Sequence, residues 1–253
     1  MELMNAMRTT ALAGVLALVP VVGHGQEAHH EWDYGKEHGP RHWGQLKPEF
    51  ASCGLGKVQS PIDIHGALAA AAAPIQFHYQ ATPLHIIDNG HTIQVNYAPG
   101  SSISVAGKRY DLVQFHFHHP SEEKIDGKGF PMVAHLVHKS ADGALAVVAV
   151  LLREGAQNPF IDTLWKNLPH EKEKELAAEK VTINAARLLP RSHAYYEYAG
   201  SLTTPPCSEG VTWLVLATPV ELSAAQVARF GKIYKANARP VQALNGRAIT
   251  LHK

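Results

Sequence analysis

The stretch Gln114-Phe115-His116-Phe117-His118 constrains the fold more than any other part of the chain. Polar and aromatic residues alternate there with a period of two, which is a strand pattern. Successive side chains of a strand point to opposite faces. His116 and His118 therefore share one face with Gln114, while Phe115 and Phe117 enter the core behind it.

Two imidazoles at i and i+2 on a rigid strand can share one metal ion. A third candidate lies in Pro131-Met132-Val133-Ala134-His135-Leu136-Val137-His138. The separation, 135 − 118 = 17 residues, suits a strand, a turn and an antiparallel return that brings His135 opposite the first two. Three histidines as the only protein ligands leave a tetrahedral zinc with one open position, as in a catalytic centre. The competing reading is packed or surface histidines in a chain that has 17 of them. His119 and His138 are at odd parity to the ligands on their strands, so they face the other way.

The surrounding chain reads mostly as strands. Leu84–Ile87 and Thr92–Tyr97 flank Asp88-Asn89-Gly90, a hairpin signal. Residues 102–105 and 110–113 read as short strands, and 59–64, with Pro61, as an edge strand or extended loop. Asp126-Gly127-Lys128-Gly129 turns the chain, and 145–152 and 211–216 are apolar runs of buried strands. Ala69–Ala73 reads as a surface turn, and 237–251 as loop with one last strand. Helices are expected at 159–168, with proline in the first turn, and at 171–180 on the surface. Another follows the capping pattern Ser223-Ala224-Ala225-Gln226, with Val227, Phe230 and Tyr234 on one face. Trp32 and Trp43 anchor a looped N-terminal segment. The fold class is mostly β (α+β): a single domain with a large, predominantly antiparallel central sheet and short peripheral helices.

Twenty-three basic and 22 acidic residues give a formal charge of +1, so nothing electrostatic points to nucleic acid or an anionic membrane as partner. Arg8, the apolar run Ala11–Val22 and Gly23-His24-Gly25 read as a secretory signal peptide over residues 1–25, too short for a membrane span. The remaining domain, 26–253, is then periplasmic or secreted.

The stretches 114–118, Pro120-Ser121-Glu122 and 134–138 resemble the zinc-binding core of α-class carbonic anhydrases. Gly200-Ser201-Leu202-Thr203-Thr204-Pro205-Pro206, Gln59-Ser60-Pro61-Ile62-Asp63-Ile64 and Asn89-Gly90-His91 match in the same order. The resemblance implies a ten-stranded twisted sheet with one zinc in a central conical cleft, held by His116, His118 and His135. It implies reversible hydration of carbon dioxide to bicarbonate by a zinc-bound hydroxide, with protons passed through His91 to buffer. Thr203 would orient the hydroxide and Glu122 would fix the direction of the Thr203 hydroxyl. Val137, Val147, Leu202, Thr204, Val211 and Trp213 would line the substrate pocket, and Gln114 would support His116 from behind. Sulfonamide or anion inhibitors would bind at the zinc, and the protein would be a monomer or homodimer. Cys53 and Cys207 occupy positions like those bridged in secreted members; two cysteines in an exported chain point to one disulfide.

Two departures stand out. The family commonly places a Glu where this chain has Val133, so His135 must find another partner for its second ring nitrogen. Glu123 stands where relatives often carry an uncharged residue or His. Two other functions compete with the enzyme. An inactive binding module of the same fold would typically lack a zinc histidine. A zinc-buffering protein using His29, His30, His38 and His42 would bind several zincs.

Overall fold

A computed structural model describes residues 31–71 and 73–253. The expected signal peptide, His29 and His30 lie outside the described residues.

Among the described residues, fourteen strands alternate with a few short helices. The strands are β1 (Asp63–Ile64), β2 (Leu68–Ala69), β3 (Gln76–His78), β4 (Thr82–Asp88), β5 (Ile93–Asn96), β6 (Ser102–Val105) and β7 (Lys108–His118). There follow β8 (Lys124–Ile125), β9 (Met132–Lys139), β10 (Leu145–Glu154), β11 (Leu176–Ile183), β12 (Tyr195–Ser201), β13 (Glu209–Leu222) and β14 (Thr250–His252). The helices are α1 (Trp43–Leu46), α2 (Ser52–Leu55), α3 (Pro159–Lys166) and α4 (Ala224–Gly231).

Twelve strands form one sheet. Its continuous path runs β11-β4-β5-β7-β9-β10-β13-β12-β14-β2, and β6, carrying β3, pairs with β7. The path has the expected ten strands; β3 and β6 are additional. Pairing is predominantly antiparallel, with β10–β13 and β14–β2 parallel. β1 and β8 make a small parallel pair of their own.

Phe115 and Phe117 are fully buried on the back of the sheet. There they meet α3 and α4: Phe117 packs on Trp165 at 5.0 Å between ring centroids and Phe115 on Phe160 at 6.0 Å. Each aromatic so buried contributes about 1.5–3 kcal/mol. The helices sit where capping dictates. The Asn158 side chain accepts from the backbone N–H groups of Phe160 and Ile161, and Ser223 with Gln226 closes a capping box. A second apolar cluster on the front face contains Val133, Val147, Ala149, Val211 and Trp213. Gly200 lets β12 lie against it, since a Cβ there would stand 2.1 Å from Ser60 Oγ and 2.7 Å from Trp213.

Three expectations are corrected. Residues 171–180 were assigned a surface helix on their Ala, Glu, Lys and Leu content, but the chain forms strand β11 from Leu176, paired with β4. Ladder bonds to an open sheet edge override a weak helix preference, and the charged, exposed side chains suit an edge strand. The alanine run opens as β2, paired with β14. The separate strand expected at 110–113 is part of β7, which bulges between Leu112 and Gln114.

His138 faces the back core with no exposure, and its Nε2 pairs with the Tyr79 hydroxyl at 2.8 Å. Burial pushes its pKa down to about 3. The folded state thus refuses a proton that the unfolded chain accepts below about pH 6.5. Its stability contribution is full above that pH, falls as pH drops from 6.5 to about 3, and is level below. The slope approaches ~1.4 kcal/mol per pH unit. In urea unfolding, His138→Gln is expected to lose about 2 kcal/mol less than wild type between pH 7 and 4.5. Parallel pH curves would refute this.

Candidate active site

The antiparallel register of β7 and β9 sets His116 directly opposite His135 and His118 opposite Val133. One ligand atom from each of His116, His118 and His135 lies within 4.8 Å of the others. Among the described residues this is the one such cluster; His38 and His42 are exposed and lie outside it.

In each imidazole one nitrogen is engaged and the other is left for a metal. His116 Nδ1 pairs with Gln114 Oε1 at 2.8 Å, as expected. His118 Nδ1 pairs with the Asn237 carbonyl at 2.8 Å. His135 Nε2 pairs with Glu123 Oε1 at 2.9 Å. His118 Nε2 is buried without a partner, which is costly unless a ligand occupies it. Burial, then the neighbouring His135, holds the pKa of His116 down to about 3, and the same causes hold His118 well below the ordinary value. Both rings are therefore neutral at physiological pH, the form that binds a metal. Burial works to lower His135 as well, but the Glu123 carboxylate outweighs it and raises that pKa. Three imidazole nitrogens converging on one point fit zinc.

Glu122 is fully buried behind the triad. Its Oε1 accepts from the Arg239 backbone N–H at 2.8 Å. Burial and the Glu123 charge push its pKa up to about 7, while His135 and the Thr203 hydroxyl pull it down. Thr203 is buried and Thr204 is partly exposed beside the triad.

The triad opens into a cleft of about 120 Å³ whose lining includes His91, Gln94, His116, His118 and Thr204. Val147, Val211 and Trp213 pack together in the front apolar cluster, with Val137 and Leu202 against them. A larger groove of about 510 Å³, near Tyr195 and His252, contains none of the ligating residues.

His91 is placed by its turn. Gly90 takes φ +83°, and Asn89 Oδ1 accepts from the backbone N–H groups of His91 and Thr92. The His91 ring stacks on Trp32 at 3.6 Å between centroids and 6° between planes. His119 and His138 face away from the cluster: His119 Nδ1 pairs with the Lys235 carbonyl, His138 with Tyr79. Cys53 and Cys207 form a disulfide closing 154 residues.

Sequence reasoning missed Asn237, Arg239 and the stacking role of Trp32. Asn237 and Arg239 act on His118 and Glu122 through a backbone carbonyl and a backbone N–H, which leave no trace in residue type.

Comparison with known proteins is consistent across sequence and structure. Residues 38–253 match the family model described as eukaryotic-type carbonic anhydrase. A carbonic anhydrase of Pectobacterium carotovorum is 50% identical over 220 residues, covering 86% of this chain and 89% of that protein. A hyperthermostable carbonic anhydrase from an active hydrothermal vent chimney superposes with a TM-score of 0.85 at 48% identity. That match covers 88% of this chain and all of the other. The α-carbonic anhydrase of Thermovibrio ammonificans, in complex with the inhibitor sulfanilamide, gives 0.83 at 43% identity, covering 87% and 98%.

Proposed function

The chain belongs to the eukaryotic-type (α) carbonic anhydrase family and catalyses the reversible hydration of carbon dioxide, and from that premise we propose how its own residues divide the work. The observation that carries the proposal is the triad: three buried imidazoles, each offering one nitrogen to the same point. When bound there, zinc acidifies a water ligand to a pKa of about 7, an effect for which carbonic anhydrases are the reference example.

Thr203 presents its hydroxyl to the cleft side of the triad and donates a hydrogen bond to the Glu122 carboxylate. That bond leaves the Thr203 oxygen free to accept from the attacking group and to point its lone pair at carbon. Arg239, through its backbone N–H, keeps Glu122 from turning away. Val137, Val147, Leu202, Thr204, Val211 and Trp213 form the wall against which an apolar, linear substrate rests. His91 takes the released proton across the cleft and hands it to buffer, and Trp32 steadies its ring. Sulfonamides and small anions would enter the same cleft beside His116, His118 and Thr204 and inhibit, as sulfanilamide binds the Thermovibrio ammonificans relative. The disulfide suits a periplasmic or secreted protein, with residues 1–25 as its signal.

Stopped-flow hydration tests the assignment with two variants. Thr203→Ala is expected to slow the reaction about 100-fold in any buffer, because orientation is lost. His91→Ala is expected to slow it at least 10-fold in dilute buffer only, with recovery on adding imidazole. Equal behaviour of the two variants across buffer strengths would refute the division of roles.

A further inference from the structure

His135 needs a group to hold the ring nitrogen that does not face the metal, and residue 133 is the place on β9 from which a side chain would reach it. Residue 133 shares a face with His135, but it is valine. It is fully buried in the front apolar cluster with Ile62, Ile64 and Ala149. The carboxylate comes from outside the strand. Glu123, in the connection between β7 and β9, sets Oε1 at 2.9 Å from His135 Nε2, with both side chains essentially unexposed.

The connection is built to hold Glu123 there. Ser121 Oγ donates to the Glu123 carbonyl at 2.8 Å and accepts from the Phe130 N–H at 2.9 Å. The Ser121 N–H donates to the Phe130 carbonyl, closing the base of the loop. On the other side, Lys124 pairs with Asp63 in the small β1–β8 sheet. Glu123 is thus fixed from both directions, and its buried carboxylate has no other assigned work.

We propose that Glu123 is the positioning residue for the metal ligand His135, a role moved from position 133 on the strand to a loop-borne carboxylate. It accepts a hydrogen bond from Nε2–H, keeps the Nδ1 lone pair turned to the metal and lends the ring negative charge. The inference rests on zinc occupying the triad.

The test uses the zinc-loaded full-length mature protein and the rate of zinc loss to excess dipicolinate. Glu123→Ala is expected to lose zinc about 10- to 100-fold faster than wild type. Glu123→Gln, which keeps an acceptor without the charge, should fall between them. Glu123→Ala combined with Val133→Glu should recover much of the retention, by returning a carboxylate from the strand side. The Nε2 proton of His135, read by nitrogen–proton NMR, should exchange slowly in wild type and rapidly in Glu123→Ala. Wild-type zinc loss and an unaltered His135 signal in both single variants, with unchanged circular dichroism, would overturn the proposal. Should the alanine variant fail to fold, the isosteric glutamine variant decides. A wild-type protein that holds no zinc would instead overturn the zinc reading of the triad, and this inference with it.

Discussion

Replacing His118 with alanine is expected to reduce carbon dioxide hydration by at least about 1000-fold and zinc content to well below one per chain. The metal supplies several kcal/mol of transition-state stabilisation by making the nucleophile and orienting it, and each 1.36 kcal/mol is a factor of ten in rate. His118 is 1% exposed, and its Nδ1 is tied to the Asn237 carbonyl. His119, the adjacent imidazole, cannot replace it, being on the opposite face and bonded to the Lys235 carbonyl. Two ligands would remain, and the Asn237 carbonyl would lose its partner. Metal analysis and stopped-flow hydration on the same sample, with circular dichroism as a folding control, check this. One tightly held zinc with wild-type turnover would show that the ligand set is wrong.

Reduction of the Cys53–Cys207 bond is expected to have the largest effect on stability. The bridge joins residues 154 apart, and in the chain-entropy model such a closure contributes about 4–5 kcal/mol, an upper figure. For a domain of this size each kcal/mol moves the melting temperature by about 2–4 °C, so a fall on the order of 10 °C is expected. The effect reaches the site. Cys207 has φ +56°, a left-handed conformation unfavourable for a side chain, and its N–H closes a turn onto the Thr204 carbonyl. Cys53 lies beside Trp43, and its carbonyl accepts from Arg239, whose backbone holds Glu122. Activity at elevated temperature should therefore fall before the fold is lost. An unchanged melt under strong reductant, with both thiols alkylated, would refute the assignment.

The features legible in the sequence are those that local chemistry decides. Period-two alternation placed His116 and His118 on one face, a separation of 17 residues supplied His135, and Asn89-Gly90 turned the chain at His91. The Ser223 cap announced α4. What was hidden depends on distant partners. β11 is a strand because β4 offers it an edge, not because its residues prefer one. The bulge at Val113 and the parallel β10–β13 pairing leave no local mark. Val133 read as a missing support for His135. The compensation by Glu123 could not be read, because the direction of a loop side chain is set by the clamps on either side of it.

The connectivity of β7 and β9 also fixes an order of assembly. All three ligands lie between residues 116 and 135 on two neighbouring strands, and the carboxylate behind His135 is in the connection that joins them. Closing that loop loses little chain entropy, and contacts so near in sequence form fast. Thr203 and the Val211–Trp213 wall enter only when β13 docks on β10, across the long excursion from Glu154 to Glu209. The three ligands are therefore brought together early, while Asn237, which holds His118, and the half that orients the reaction arrive late. A metal captured by the early hairpin would stabilise the seam on which the last strands must settle.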